Sequence, residues 1–285
     1  GLARHLNLSI GTVSRALNNR PDVSKDTRKR VREAARELGY VPNQSGRSLR
    51  RGQTGVVAFM MQTSHEITGH GDTFIMGVFN GIQAVLNPHH LDLVALLCPA
   101  GEDAEDYLKR MVSRSFADGI ILSSILHVDP RIDFLAERQV PFVTLGRSLT
   151  DAGQPWLDTD FDGIARISMQ RFVDKGHRRI AITVPDDDTN LGHVFADAAR
   201  EALAEHGLTL DPDLIFPFVP NEASGYAIAR TALDMDDPPT AIFLLNPGLT
   251  AGFYRGLADA GRQPGRDFAI IGRDSPQSAY LSPSL

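Results

Sequence analysis

The chemistry most densely written into this chain is phosphate neutralisation. Residues 1–52 hold 12 of the 29 Lys and Arg but only 4 of the 35 Asp and Glu, a local balance of +8 within a chain of net charge −6. The remaining residues therefore carry −14. A cationic segment joined to an acidic body suits a polyanion, and each phosphate it neutralises releases counterions. Arg28, Lys29, Arg32 and Arg36 recur at helical spacing rather than in a low-complexity run, which places them on a folded surface.

Other reactive residue types offer less. His65-Glu66-Ile67-Thr68-Gly69-His70 resembles a zinc motif, but its histidines are five apart and do not share a helix face. No metal is expected, although His65 or Asp72 could line a ligand cleft. Asp186-Asp187-Asp188 reads as a solvated acidic loop. The chain has no Gly-x-Ser-x-Gly elbow, phosphate-cradling loop or dinucleotide glycine fingerprint, so neither an enzyme nor a cofactor is expected. Cys98, the only cysteine, lies in an apolar run and reads as a buried thiol in a reducing compartment. No apolar run is long enough to span a bilayer, and Gly1 to Asn7 contain no apolar leader core. A cytoplasmic location follows as an expectation, and the start at Gly1 reads as a trimmed terminus.

Three helices must position the cations. Leu2 to Leu6 reads as a helix end. Ser9 then caps a helix over Ile10 to Asn18 whose Val13 and Leu17 face Ala3, Leu6 and Leu8. Two short helices around a tight turn form a helix-turn-helix pattern. Ser24 caps a third helix, Lys25 to Leu38, with Val31, Ala34, Ala35 and Leu38 on its apolar face, and Gly39 and Pro42 stop it.

Thr12-Val13-Ser14-Arg15-Ala16-Leu17-Asn18, Val23-Ser24 through Val31, Leu38 to Asn43 and Arg47-Ser48-Leu49 closely resemble the headpiece of lactose-repressor-type (LacI/GalR) regulators. The resemblance implies that the second helix enters the major groove, with Ile10, Gly11 and Arg15 reading bases. Arg15 would fork onto a guanine, whereas Gly11 offers no side chain and Ile10 only apolar contact. Thr12, Ser14, Asn18 and Ser24 would position phosphates. Residues 43–53 resemble the family's hinge helix, with Leu49 as its minor-groove wedge and Gly46 lowering helix propensity off DNA. These assignments divide the chain into a headpiece at 1–42, a hinge at 43–53 and a sensor at 54–285.

From Gly55 onward, apolar runs alternate with amphipathic helices, which implies parallel sheets with helices on both faces. Strands are expected at Val56–Met60, Leu91–Leu97, Gly119–Leu122, Pro141–Leu145, Arg179–Val184, Ala241–Leu245 and Phe268–Ile271. Two doubly wound lobes, divided near 151–156, would hold a ligand at the carboxyl ends of their strands. Gly176 to Ala181, Asp160 with Gly163, and Gly272-Arg273-Asp274 followed by Leu281-Ser282-Pro283 resemble the type I periplasmic-binding-protein fold that these regulators use as a sensor. Relatives continue beyond the last residue here, so the C-terminus reads as incomplete.

Strand-end position and that correspondence together nominate Phe74, Asp72, Arg147, Asn190, His193, Asn246 and Asp274 as effector contacts. Phe74 would stack on the ligand, Arg147 would fork onto hydroxyls or a carboxylate, and Asp274 would accept sugar hydroxyls. An Arg-Asp-Asn set beside an aromatic ring suits a hydroxyl-rich ligand better than a purine. The expected function is therefore a homodimeric, DNA-binding repressor controlled by a sugar, with α-glucoside or α-galactoside regulators as the nearest resemblance. The alternatives are a solute receptor for transport and a regulator sensing a purine.

Overall fold

The chain opens with a short helix α1, Leu2–His5. Two serines then each turn extended backbone into a helix. Ser9 Oγ accepts the Thr12 backbone N–H at 3.0 Å to start α2, Ile10–Leu17, and Ser24 Oγ accepts that of Thr27 at 3.2 Å to start α3, Lys25–Glu37. Each cap satisfies a donor that a helix start leaves unpaired and contributes about 1 kcal/mol. Leu2, Val13, Ala16, Val23, Val31, Ala34 and Ala35 form the core of this bundle, with Ala3, Leu6, Leu8 and Leu17 at its edge. Leu38, expected on the apolar face of α3, is instead 51% exposed. The helix ends at Glu37, and Gly39 takes the left-handed conformation that turns the chain away.

The computed structural model describes residues 1–40, 53–63 and 72–273, without the side chains of Asp72 and Thr73. The chain divides into two compact units, Gly1–Thr54 and Gly55–Leu285.

The second unit holds two parallel sheets. The first joins β1 (Val56–Gln62), β2 (Asp92–Cys98), β3 (Gly119–Leu122), β4 (Phe142–Leu145) and β5 (Trp156–Leu157) in the order β2-β1-β3-β4-β5. Its connecting helices are α4 (Asp72–Leu86), α5 (Ala104–Ser113) and α6 (Pro130–Glu137). α5 and α6 bury Tyr107, Leu108, Met111, Ile132 and Leu135 with Ala58, Met60, Ile120 and Leu122 of the sheet. Phe59 faces the opposite way and packs edge-on against Phe79 of α4 at 4.9 Å. Because Trp156 and Leu157 pair with β4, the first sheet extends through them.

The second sheet runs β7-β6-β8-β9, with β6 at Ile180–Pro185, β7 at Ile215–Phe218, β8 at Ala241–Leu244 and β9 at Ala269–Gly272. Its helices are α7 (Phe161–Asp174), α8 (Asn190–Ala204), α9 (Glu222–Leu233) and α10 (Pro247–Asp259). All of β8 and the first four residues of β6 are buried. Covered on both faces, these central strands read as continuous apolar runs rather than alternating ones.

In both sheets the strand order reverses once, beside β1 in the first and beside β6 in the second. Loops leaving the carboxyl ends of strands on either side of such a reversal diverge and open a crevice. Open α/β sheets gather ligands at such carboxyl ends, which here are those of β1, β3, β6 and β8. No described helix is long and apolar enough to cross a membrane.

Candidate functional site

In the first unit, α2 turns Val13 and Ala16 to the core and leaves Ile10, Gly11, Arg15 and Asn18 exposed. Ile10 is 77% exposed, a large apolar side chain that the bundle itself does not use. Arg15 Nε lies 3.5 Å from Asp22 Oδ2, with both side chains more than half exposed. Such a pair contributes little and yields readily to a stronger partner. Thr12 Oγ1 lies 2.9 Å from Ser9 Oγ, Asn18 Nδ2 donates to Ser14 O at 2.7 Å, and the Ser24 hydroxyl donates to Thr27 Oγ1 at 2.8 Å. Thr12, Asn18 and Ser24, expected on phosphates, thus also shape helix ends, while Ser14 stays half-buried. Leu49, Gly46 and most of the expected hinge lie outside the described residues, as do His65, His70 and Asp274.

In the second unit, the loop after β3 is anchored by a buried ion pair. Arg131 donates through Nε to Asp129 Oδ1 at 2.9 Å and through Nη2 to Asp129 Oδ2 at 2.6 Å, and both side chains are almost fully buried. Asp129 Oδ2 also accepts the Leu126 N–H at 3.0 Å, which presents His127 to the second sheet. There the Asn190 N–H donates to Ile125 O at 2.8 Å, the His127 N–H donates to Asp188 O at 2.9 Å, and Leu126 bridges Thr189. Asn190 itself is 6% exposed, with Nδ2 donating to Arg147 O at 2.7 Å and Oδ1 lying 2.9 Å from His127 Nδ1. His193 Nε2 lies 2.8 Å from Asp188 Oδ1, and the rings of His127 and His193 stack. The structure thus brings Arg147, Asn190 and His193 together across the seam between the sheets. It also adds His127, which sequence reasoning missed.

Arg147 is already engaged. Its Nε donates to Asp158 Oδ2 at 3.2 Å, its Nη2 donates to Asp162 Oδ2 at 2.6 Å, and it lies 5.7 Å from the Trp156 ring centroid. The hydrogen bond to Asp162 does most to raise its pKa. The fork expected to face a ligand is therefore divided between two carboxylates of the protein. Asn246 caps α10, accepting the Gly248 N–H on Oδ1 at 2.8 Å. Phe74, on the first turn of α4, is 47% exposed, and the Arg273 guanidinium lies 5.3 Å from its centroid. Asp72 opens the same helix. Among the described residues, no three or more His, Cys, Asp or Glu side chains are placed to hold a metal ion.

Residues 2–43 match the family model described as bacterial regulatory proteins, lacI family, and residues 169–285 match a periplasmic binding protein-like domain. The HTH-type transcriptional regulator AglR of Rhizobium meliloti (strain 1021) is 32% identical over 276 residues, covering 96% of this chain and 76% of AglR. The chain belongs to the lacI family of bacterial regulatory proteins. As a member of the lacI family it is a DNA-binding transcriptional regulator, not an enzyme. A transcriptional regulator CelR-cellobiose complex is similar at 29% identity and a TM-score of 0.67, over 95% of this chain and 80% of that one. A Lac repressor dimer bound to operator and the anti-inducer ONPF shares the fold at 19% identity and a TM-score of 0.81, over 98% and 83% of the two chains.

Proposed function

We propose that this lacI-family chain is a cytoplasmic, homodimeric repressor whose hold on an operator is set by a sugar bound between its two sheets. The observation that carries the DNA half is α2, whose exposed face offers Ile10, Gly11 and a loosely held Arg15 to base edges. Thr12, Ser14, Asn18 and Ser24 fix its register on phosphates, and Leu49 wedges the minor groove. Each small headpiece reads a half-site, so a two-fold dimer reads the operator. Met76, Val85 and Leu97, all at least half exposed on α4 and β2, support an apolar dimer face.

The effector half rests on the position of its candidate residues after strand ends of the two parallel sheets, where open α/β folds gather ligands. Phe74 supplies an aromatic face and the partly exposed His193 a polar group, while Asn190 and Asn246 hold the adjoining backbone in place. Arg147 serves by orienting Asp158 and Asp162, which accept hydrogen bonds from hydroxyls. Asp72 and Asp274 extend the set. CelR was solved with cellobiose, and that supports a saccharide over a purine. A ligand that binds one lobe arrangement more tightly shifts the population toward it and couples to DNA in the same measure.

A thermal-shift screen of mono- and disaccharides beside purines tests the effector class. Stabilisation by saccharides alone is expected, and stabilisation by a purine with no saccharide response overturns the reading. For the DNA half, Arg15→Ala should cost about 1–3 kcal/mol of operator binding and relax specificity at one base pair. Unchanged discrimination would remove Arg15 from the reading set.

A further inference from the structure

Arg273 directly follows β9, at the carboxyl end of the second sheet. Its backbone N–H donates to Leu244 O at 2.9 Å and so extends the β8–β9 ladder by one bond. Its guanidinium lies 5.3 Å from the centroid of Phe74 and 5.6 Å from that of Phe161. Phe74 sits on the helix that follows the first sheet's β1, and Phe161 opens α7, the first helix of the second lobe. One cation therefore meets a ring from each side of the crevice.

Aromatic rings satisfy the face of a guanidinium and leave its five in-plane N–H donors to find acceptors elsewhere. Among the described residues, none of these donors has one. That sets Arg273 apart from the other arginines of the second unit already described. Arg131 is sealed onto Asp129, and Arg147 is divided between Asp158 and Asp162. Burial pushes the Arg273 guanidinium below its usual pKa. The in-plane N–H edge of a ring-stacked arginine suits two oxygens held side by side.

We infer that Arg273 is a specificity-determining effector contact, its forked N–H edge taking a pair of oxygens on the small molecule in the crevice. The inference rests on the proposal that this molecule is a saccharide. It adds what the sugar must carry at this point: either vicinal hydroxyls or a carboxylate or phosphate. Packing against Phe74 and Phe161 limits the rotamers of the arginine, so the fork is set before the ligand arrives. A sugar lacking paired oxygens there leaves the donors unmatched, the situation in which polar sites discriminate most strongly.

Calorimetric titration of the full chain tests this, with wild type, Arg273→Met and Arg273→Lys compared. Neutral probes are cellobiose, melibiose and galactose, and anionic probes are galacturonate and glucose 6-phosphate. Any probe that binds wild type should bind Arg273→Met more weakly, on the order of 10- to 100-fold. Arg273→Lys should restore part of the affinity for an anionic probe and little for a neutral one, which separates the two oxygen sources. Binding to Arg273→Met within about twofold of wild type overturns the inference while leaving the saccharide reading intact. If no probe binds wild type, the saccharide reading fails and the inference falls with it. Melting of each variant without ligand checks its fold. Should Arg273→Met fail to fold, the galacturonate-to-galactose affinity ratio in Arg273→Lys decides: an altered ratio supports the contact and an unaltered one overturns it.

Discussion

The imidazole rings of His127 and His193 stack with centroids 4.0 Å apart and planes 20° from parallel, one ring from each side of the seam between the two sheets. Asn190 fixes the chemistry of the first ring. Its Nδ2 donates to Arg147 O, leaving Oδ1 to accept, so His127 carries its proton on Nδ1. Asp188 anchors the second ring through Nε2. The stack therefore depends on both loops being held, and it links the lobes directly.

In urea denaturation the loss of the His127→Ala/His193→Ala double mutant should fall short of the sum of the single losses by a coupling of about 0.5–1.5 kcal/mol. Additive single effects would mean that the rings touch without stabilising the seam.

Gly252 and Gly225 let α9 and α10 cross backbone to backbone. A Cβ on Gly252 would overlap Glu222 O, and one on Gly225 would overlap Leu249 O. Neither oxygen can move without displacing a helix, so Gly252→Ala should destabilise the chain by about 3 kcal/mol or more. A melting temperature equal to wild type would show that the helices separate freely.

Ser24 serves α3 whether or not DNA is present. Ser24→Ala should lower headpiece stability by about 1 kcal/mol, seen as faster amide exchange over α3 in the free protein. If only DNA affinity falls, the cap is unimportant and the phosphate role stands alone.

His177 makes stability depend on pH. Its Nδ1 lies 2.9 Å from Thr240 Oγ1, its ring stands edge-on to Phe172, and burial pushes its pKa below the ordinary 6.5. Above pH 6.5 both folded and unfolded forms are neutral, so the shift costs nothing. As pH falls below 6.5 the unfolded chain takes up the proton first, and stability drops until the folded-state pKa is reached. The urea midpoint of wild type should therefore fall more than that of His177→Gln between about pH 7 and about pH 5. Equal falls would contradict the assignment.

Much of the fold was legible because local chemistry and global packing agree. Ser9 and Ser24 announce α2 and α3, and the unbroken apolar runs of β6 and β8 announce buried parallel strands. β7 escaped notice because Pro217 interrupts it, and it tolerates the proline by lying at the sheet edge. β5 is two residues long, too short for any periodicity. α6 lies in Pro130–Glu137, where Asp129 and Pro130 were a readable start signal that the strand-by-strand alternation obscured. The crevice was harder to read because its contacts are long-range. His127 meets Asn190 from 63 positions away, and Arg147 finds its carboxylates 11 and 15 positions on. Sequence spacing nominates residues at strand ends, but it does not say which of them are already satisfied by one another.

Sugar-controlled repression is tested most directly by operator binding of the full chain, measured by fluorescence anisotropy across about 50–200 mM salt, with and without a saccharide that stabilises the protein. Affinity should fall steeply and linearly in log–log form as salt rises, and at fixed salt the saccharide should shift it. Binding that shows no preference for any duplex over random competitor, and no response to saccharide, would contradict it.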